Sequence, residues 1–551
     1  MASIRRILTQ TKSFSGSSFF FPGILIAPSA LWVIIDKAVW QWDPAWYGEV
    51  SASLFFLLRR QTAEWPNAML SAFATKPPGI AWLGQFFVPL QHITGSVDDA
   101  LMLMIILIQW VTLVLTYRTV RDLAPHSPAA PLAACVFVAA APLFVGMSHK
   151  FFVEPLQTMA VAWIMLIAIR ADQLNGWIIV GHVVAAAALA MMAKITSPLY
   201  VVAPAILVIY ALFQKRYSSW SLSRRQRRLG LYPVLAIGVI MAVPTMLWYA
   251  RNWGAVFGKS QSAAYGAGGE MWGHGRPLFD KLVYWLGAMH SSFAPSLFLL
   301  PVAVVVVVGA VRMCRGRDPQ TSRHRVVAIM AATQLLFTLV VFTSSRNEEP
   351  RFLLPLIPYL ALLIGMGVSA LRWRGASVLI VVLLLMQYGI VYAQTFSLIP
   401  SNTSVSVWIQ RYPAMPDEQE AVMLDSIVES TCSEETAWRY NIVGVELPWL
   451  NANTLSFHVA KRMLDTGYRC FYTSVGYRQD SVDRAWERIQ TFKIAHFVTV
   501  DPDVYRIPEN GHNVVSVPVL ERVASSVDFE RQDLNGDHPG ILIFDRVPER
   551  Q

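Results

Sequence analysis

Long apolar stretches alternate with short polar loops over roughly the first 395 residues of the chain. Eleven of these stretches are apolar enough to suggest membrane-spanning helices. They lie at about 17–36, 100–117, 130–147, 155–170, 177–193, 198–213, 230–250, 291–311, 326–343, 352–370 and 376–395. The pattern therefore predicts a polytopic α-helical membrane protein with about eleven spanning helices.

The basic loops set the predicted orientation of these helices, because loops rich in Lys and Arg stay in the cytoplasm. Whether a further apolar segment, 79–94, spans the membrane decides which loops face the cytoplasm. If it does not span, four basic clusters fall on the cytoplasmic side, at 118–121, 215–228, 312–325 and 372–374, and if it spans, all four fall outside. We therefore predict a cytoplasmic N-terminus and place 79–94 at the outer membrane surface, as an amphipathic or re-entrant helix. The first apolar stretch is long for a signal peptide and lacks a clean cleavage site, so we interpret it as an uncleaved helix.

The chain becomes polar after residue 395, and the remaining segment has the size of one domain. Within it, "IAHFVTVDPD" and "GILIFDRV" are typical of strands, whereas "AWRYNIVG" and "LSFHVAKRML" favour helical or mixed structure. We predict a transmembrane module at 1–395, with a first outer loop at about 37–99, and an extracytoplasmic α/β domain at 396–551. Cys432 and Cys470 could form a disulfide there, but the sequence leaves this open.

Composition narrows the classes of protein that this chain could be. Hydrophobic residues make up 54% of it and charged residues only 15%, against roughly 25% charged residues in soluble domains. The net charge of +9 would suit nucleic acid, but the basic residues occur in short loops between apolar stretches. We therefore predict no nucleic-acid partner and a multi-pass protein of the plasma (inner) membrane, with the bilayer as its surroundings.

The predicted outer loops contain the ionisable residues that could carry chemistry. A carboxylate beside fixed cations suits transfer from a phosphorylated donor, since the cations neutralise the leaving phosphate while the carboxylate deprotonates an acceptor hydroxyl. Two prolines stiffen the chain after one of the lysines. Such a site needs no metal ion, and we predict neither a metal nor another cofactor. The candidate bases are Asp43, Glu49 and Glu154, and the candidate phosphate-binding cations are Lys76, Lys194, Arg346 and Arg351.

Four segments together resemble a known family. They are "DPAWYGEV", "TKPPGIAWL", "VEPL" and "RFLLPLIPYLAL", and they resemble the GT-C glycosyltransferases, in the branch of the protein O-mannosyltransferases and the lipid A aminoarabinose transferase. The resemblance covers about residues 17–395. It implies a GT-C architecture and a sugar donor linked to polyprenyl phosphate. It also implies transfer to a hydroxyl of a protein, glycan or lipid on the outer membrane face, with inversion at the anomeric carbon.

The resemblance also implies roles for individual residues. Asp43 matches the catalytic-base aspartate of the first outer loop, and Lys76 matches the lysine that binds the donor phosphate. Glu154 takes the place of the acidic residue in the second loop. Arg351 matches the basic residue before the "LLP" helix.

Tyr47 and Glu49 match the aromatic residue and the glutamate that follow the base in this family. With Tyr47, the remaining substrate-binding candidates are Trp46 and His149. The sequence departs from the aminoarabinose transferase at two positions, because Trp46 and Thr75 stand where that enzyme has an arginine and a glutamate. The resemblance therefore carries over neither that enzyme's donor nor a metal site that needs the glutamate.

Simpler interpretations stay open for several of these residues. Asp43 before Pro44 and Glu154 before Pro155 could merely stabilise helix N-termini, and Lys194 could anchor a helix at the membrane interface. Two other functions also stay open: a transporter or flippase of a lipid-linked sugar, and a non-catalytic membrane scaffold. The sequence names neither the sugar, the acceptor nor the oligomeric state.

Overall fold

The computed structural model describes residues 17–215, 231–266, 269, 273, 275–294, 296–315, 319–371, 373–399, 418–476, 479–509, 511–532 and 540–547. Contacts divide the chain into two units. The first, which we call the helical unit, comprises Met1–Ile34, Asn67–Ile80 and Met102–Tyr412. The second, which we call the α/β unit, comprises Ile35–Pro66, Ala81–Leu101 and Pro413–Gln551.

Each of the eleven apolar stretches up to residue 395 is largely helical, and further helices lie between them. The helices are α1 (Ser17–Ile35), α2 (Trp42–Arg60), α3 (Trp65–Ser71), α4 (Gly79–Gly84), α5 (Gln91–Thr94), α6 (Val97–Leu123), α7 (Ala129–Ala139), α8 (Pro142–Ser148), α9 (Glu154–Arg170), α10 (Gly176–Ala193), α11 (Val202–Phe213), α12 (Tyr232–Tyr265), α13 (Leu278–Phe293), α14 (Ser296–Arg315), α15 (Pro319–Ser344), α16 (Ile357–Ala370) and α17 (Arg374–Thr395). Short 3₁₀ helices lie at Val88–Leu90, Ser197–Tyr200 and Pro350–Leu356.

Within the described residues, seven helices are long and apolar enough to cross a membrane, or up to nine if each bent pair counts as one span. The bent pairs are α7 with α8, which meet at 62°, and α13 with α14. Two shorter helices, α9 with 17 residues and α11 with 12, cover two further stretches of the sequence. The predicted polytopic helical architecture is confirmed, whereas the count of eleven crossings stays a prediction.

Residues 79–94 do not form one continuous helix. They form α4, the 3₁₀ helix Val88–Leu90 and α5, which have 6, 3 and 4 residues. None of these pieces is long enough to span a bilayer, which takes about 20 residues. This agrees with the prediction that the segment does not cross the membrane.

The α/β unit contains a five-stranded mixed sheet. Its strands are β1 (Tyr440–Val443), β2 (Phe471–Ser474), β3 (His496–Val500), β4 (Phe529–Gln532) and β5 (Ile541–Arg546), in the order β2-β1-β3-β5-β4. Strand β1 is parallel to both β2 and β3, and β5 is antiparallel to β3 and β4. The predicted α/β fold is thereby confirmed.

Three of the four segments assigned from the sequence have the expected structure. The two predicted strands correspond to β3 and β5, and "LSFHVAKRML" lies within the helix Ala452–Thr466. The helical interpretation of "AWRYNIVG" is wrong, because its residues 440–443 form β1, whereas the alternative of mixed structure is compatible with this strand. Three of the four residues of β1 are buried, so the strand shows no alternation of polar and apolar positions.

Helices cover both faces of the sheet. On one face lie α18 (Glu418–Thr431) and α19 (Ala452–Thr466), and on the other lie α20 (Val482–Thr491) and α21 (Ser516–Ala524). A disulfide joins Cys432, directly after α18, to Cys470, directly before β2. This pairing, which the sequence left open, ties α18 to the edge strand of the sheet.

Candidate active site

Lys76 lies in a tightly constrained corner of the helical unit. Phe73 and Ala74 both adopt positive φ, at 60° and 46°, and the turn leads through half-buried Lys76 into two buried prolines. Gly79 follows, and a Cβ atom there would lie 2.6 Å from the carbonyl oxygen of Met192. Only glycine therefore lets this corner pack against the last turn of α10.

Helix α12 holds the chain that leads into this corner. The indole Nε1 of Trp248 donates to the carbonyl of Ala72 at 3.0 Å, and Asn252 donates to the carbonyl of Leu70 at 2.9 Å. The hydroxyl of Tyr249 donates to the carbonyl of Met191, at the end of α10, at 2.9 Å. The Lys76 corner and the end of α10 are thus fixed by one helix.

The end of α10 presents Lys194 to a buried carboxylate. Lys194 is the C-terminal cap residue of α10, and its Nζ lies 2.8 Å from Oε1 of Glu154. Glu154 is the first residue of α9 and is only 1% exposed. The Nε of Arg351, in the 3₁₀ helix Pro350–Leu356, lies 3.6 Å from the same oxygen. The structure therefore brings together three of the predicted residues, Glu154, Lys194 and Arg351, which we call the Glu154 cluster.

Aromatic rings line the Glu154 cluster. The Nζ of Lys194 lies 3.8 Å from the ring centre of Phe352, and the guanidinium of Arg351 lies 4.7 Å from that of Phe152. Both contacts have the geometry of cation–π interactions. Because apolar rings cover the cations while their charges stay partly exposed, the cluster can hold an anion attached to an apolar chain.

The Glu154 cluster and its two charged neighbours, Glu349 and Lys150, together carry an excess of positive charge. Glu349 lies 3.6 Å from Arg351 and supplies a second carboxylate. Lys150 supplies a third cation, and its pKa is lowered, first by burial and then by the nearby charge of Arg351. Three cations against two carboxylates leave one net positive charge. In addition, Oε2 of Glu154 has no hydrogen-bond partner among the described residues.

The contacts described for His149 and Arg346 do not involve the Glu154 cluster. The ring of His149 is buried and stacks on Trp32, with ring centres 3.9 Å apart. Burial, together with the charge of Lys150, lowers the pKa of His149 to about 3, so the ring is neutral. Arg346 is exposed, and its amide donates to the carbonyl of Ala264 at 2.8 Å. Their predicted roles in binding substrate stay predictions.

In the α/β unit, α2 carries the residues predicted from the first outer loop. Asp43 lies in its first turn and is half-buried. No side-chain hydrogen bond caps this helix from its N-cap residue Gln41. Tyr47 is buried and Trp46 half-buried, so of the three Tyr47 is the most enclosed. Asp43 therefore lies at a helix N-terminus, where a carboxylate is stabilised by the helix dipole.

Glu49 lies on α2, but the structure gives it an ion-pair partner. The guanidinium of Arg469 donates to Oε1 of Glu49 at 2.9 Å and to Oγ of Ser53 at 2.9 Å. Burial raises the pKa of Glu49, although Arg469 opposes the shift. The pair joins α2 to Arg469, the residue before Cys470. Nothing in the sequence around Glu49 predicted this structural contact.

Three residues that interact with the Glu154 cluster or helix α2 were not predicted as site residues from the sequence. They are Lys150, Arg469 and Glu446. Arg469 and Glu446 contact α2 from more than 400 positions away in sequence. No local pattern signals such a contact. The described residues also contain no group of three or more His, Cys, Asp or Glu side chains placed to hold a metal ion.

Part of the sequence matches a family model, and the structure matches solved structures. Residues 75–248 match the model of the family described as dolichyl-phosphate-mannose-protein mannosyltransferase. This segment includes Lys76, Glu154 and Lys194. No curated protein sequence matches the chain. The structural matches below extend the likeness to nearly the whole chain.

The structure is similar to that of ArnT from Cupriavidus metallidurans bound to undecaprenyl phosphate. The TM-score is 0.57 at 16% identity, over 97% of this chain and 99% of that one. ArnT in the apo state gives a TM-score of 0.56 at 16% identity, over 97% and 98%. The arabinofuranosyltransferase AftD from Mycobacteria gives 0.52 at 13% identity, over 96% of this chain and 40% of that one. The chain therefore has the GT-C fold, in its ArnT-like form, and the resemblance seen in the sequence is confirmed at the level of the fold.

Proposed function

We propose that this protein is a membrane glycosyltransferase that transfers a sugar from a polyprenyl-phosphate donor to an acceptor hydroxyl. The Glu154 cluster is the observation that carries the proposal. It combines partly exposed cations, an excess of positive charge and an apolar aromatic lining, which suits a phosphate at the end of a lipid chain. The GT-C fold and the family match over 75–248 support the same reaction class.

The proposed reaction needs a base and a phosphate-binding group. The carboxylate of Asp43 takes the proton of the acceptor hydroxyl, whose oxygen forms a bond to the anomeric carbon. The bond between that carbon and the phosphate oxygen breaks, and the electron pair leaves with the phosphate. Lys76, Lys194 and Arg351 neutralise the charge that develops on the leaving group. A single displacement of this kind inverts the anomeric configuration.

Glu154 has a different role in this scheme from the one the sequence suggested. A carboxylate with Lys194 at 2.8 Å and Arg351 at 3.6 Å is held by cations rather than placed to accept a proton. We propose that it orients the two cations and limits their net charge, so that the phosphate product can leave. Asp43 then remains the stronger candidate for the base.

The test is transfer of labelled sugar from a panel of polyprenyl-phosphate sugars in membranes that contain the protein. Asp43→Asn should abolish transfer while retaining donor binding, because the amide keeps the shape but cannot accept the proton. Arg351→Ala should raise the donor KM, because it removes a phosphate-binding cation. Asp483→Asn, which changes an exposed carboxylate in the same α/β unit, is the matched control and should leave both quantities unchanged.

Other results would refute parts of the proposal. Equal transfer by the wild type and Asp43→Asn would remove Asp43 from catalysis. If the wild type transfers no sugar but moves the lipid-linked donor across a bilayer, the protein is a transporter. We propose that transfer occurs at the outer face of the plasma (inner) membrane, which donor supplied to one side only of sealed vesicles would test.

A further inference from the structure

The sheet of the α/β unit has a topological switch point between β1 and β3. The chain passes from β1 to β2 on one side and then returns to β3 on the other side of β1, and all three strands are parallel. Helix α19, which follows β1, covers one face, whereas α20 and α21, which follow β2 and β3, cover the other. In open α/β sheets, ligands bind beyond the carboxyl ends of the strands at such a point.

Two loops meet beyond the carboxyl ends of these strands. Glu446 lies in the loop after β1, and Asn513 lies in the segment after β3. The amide of Glu446 donates to Oδ1 of Asn513 at 2.8 Å, and Nδ2 of Asn513 donates back to the carbonyl of Glu446 at 3.2 Å. Asn513 is only 6% exposed. This reciprocal pair fixes the backbone that carries the Glu446 carboxylate.

Trp42, the first residue of α2, also contacts this carboxylate. Its Nε1 donates to Oε2 of Glu446 at 3.3 Å, while 40% of the residue stays exposed. Its φ of 38° is a conformation that bulky side chains rarely adopt, and such strain is concentrated at functional sites. Trp42 directly precedes Asp43, the proposed base.

We propose that Trp42 and Glu446 form a saccharide-binding subsite for the acceptor, at the switch point of the α/β unit. The exposed indole face packs against the C–H face of a sugar ring, and the carboxylate accepts hydrogen bonds from its hydroxyl groups. This inference rests on the proposed glycosyl transfer, since it assigns the acceptor class to that reaction. Asn513 is a positioning residue, because it acts through the backbone of Glu446.

The charge of Glu446 distinguishes a sugar from other occupants. Burial raises the pKa of Glu446 to about 7, although the hydrogen bond from Trp42 opposes the shift. The group is therefore partly ionised near neutral pH and repels phosphate and other anions. A tryptophan that merely anchors the protein in anionic headgroups would gain nothing from a carboxylate on its Nε1. A neutral, hydroxyl-rich ring suits both groups.

The test is saturation-transfer difference NMR on the full chain in nanodiscs, with methyl glycosides of glucose, mannose, galactose and arabinose. A peptide containing Ser and Thr and inorganic phosphate serve as the competing classes. Glycoside signals should appear with the wild type and fall at least about fivefold with Trp42→Ala, as expected for loss of one aromatic contact. Trp438→Ala is the matched control, because Trp438 is also exposed (52%) and has a φ of 67° in the same unit.

The outcomes separate this inference from the proposed function. The inference is overturned if no glycoside gives a signal, if the peptide or phosphate gives the signal that depends on Trp42, or if Trp42→Ala and Trp438→Ala behave alike. If the signal depends on Trp42 but the wild type transfers no sugar from any donor, the saccharide subsite stands and the transferase proposal fails. Where transfer occurs, Trp42→Ala and Glu446→Gln should raise the acceptor KM and leave the donor KM unchanged.

Discussion

The ion pair between Glu49 and Arg469 makes the proposed base-carrying helix α2 dependent on the C-terminal part of the chain. The Glu49 and Arg469 side chains are only 14% and 17% exposed. Removing one partner of a buried pair costs about 3–5 kcal/mol, whereas exposed pairs contribute about 0–1 kcal/mol. For this nearly buried pair we expect Arg469→Ala to destabilise the packing of α2 by about 2–4 kcal/mol.

The destabilisation caused by Arg469→Ala should depend on pH, and the direction of this dependence follows from the pKa of Glu49. Burial already raises the pKa of Glu49 against the opposing effect of Arg469. Without Arg469, the pKa of Glu49 rises further, because the charge that opposes the shift is lost. A carboxyl group whose folded-state pKa is raised favours the fold while protonated and loses that contribution as the pH rises through the raised pKa. Arg469→Ala should therefore destabilise α2 less at pH 5 than at pH 8.

Amide hydrogen exchange over Trp42–Arg60, measured in nanodiscs at pH 5 and pH 8, tests this expectation. A loss of 2 kcal/mol or more corresponds to a fall in protection of about 30-fold or more. Arg522→Ala is the matched control, because Arg522 pairs with Asp483 at 2.7 Å but both side chains are exposed. That change should cost less than about 0.5 kcal/mol.

Two results would refute this reasoning. One is equal loss of protection in the Arg469→Ala and Arg522→Ala variants. The other is a loss in Arg469→Ala that is the same at both pH values. The double variant Glu49→Gln/Arg469→Gln should recover part of the stability and lose the pH dependence, since neither side chain then carries a charge.

Three further predictions concern the helical unit and the disulfide. Glu154→Gln should tighten binding of polyprenyl phosphate and slow its release, because the two cations lose their counter-charge. Product inhibition by polyprenyl phosphate measures this affinity, and an unchanged inhibition constant would contradict the prediction. Gly79→Ala should raise the donor KM by displacing the Lys76 corner, whereas Gly254→Ala, where a Cβ meets nothing within 4 Å, should not; equal KM values would contradict the close packing. Cys470→Ser should destabilise the α/β unit by about 2–4 kcal/mol through loss of its bond to Cys432, seen as a lower melting temperature that reductant lowers no further; an unchanged melting temperature would contradict a stabilising disulfide.

The parts of the fold that local patterns encode could be predicted from the sequence. Apolar runs predicted most helices of the helical unit. The polar residues of segment 79–94 favoured a segment that does not span, and this stays a prediction with which the short helices there agree. Strand β1 was not predicted because three of its four residues are buried. It therefore lacks the alternation of polar and apolar residues that identifies half-exposed strands. The bend between α7 and α8 also has no clear signal beyond Pro142.

The candidate site was predicted in part, for a related reason. Glu154 and Arg351 could be proposed because they lie in segments that resemble family motifs, and Lys194 because it borders an apolar run; the structure brings the three into one cluster. Their grouping, however, depends on three chain segments meeting, and no sequence spacing encodes that. The partners of α2 were not predictable at all, since Arg469 and Glu446 lie 420 and 404 positions from Glu49 and Trp42.

The two units divide the proposed chemistry between them. The sequence changes composition near residue 395, but contacts group Ile35–Pro66, with Asp43, together with Pro413–Gln551. The helical unit holds Lys76 and the Glu154 cluster, which are the proposed phosphate partners. The proposed base and the proposed saccharide subsite therefore belong to the α/β unit, and the proposed phosphate-binding cations belong to the helical unit. It follows that variants of Arg469 and Glu446 should act on the acceptor and on proton transfer, whereas variants of Arg351 and Lys194 should act on the donor.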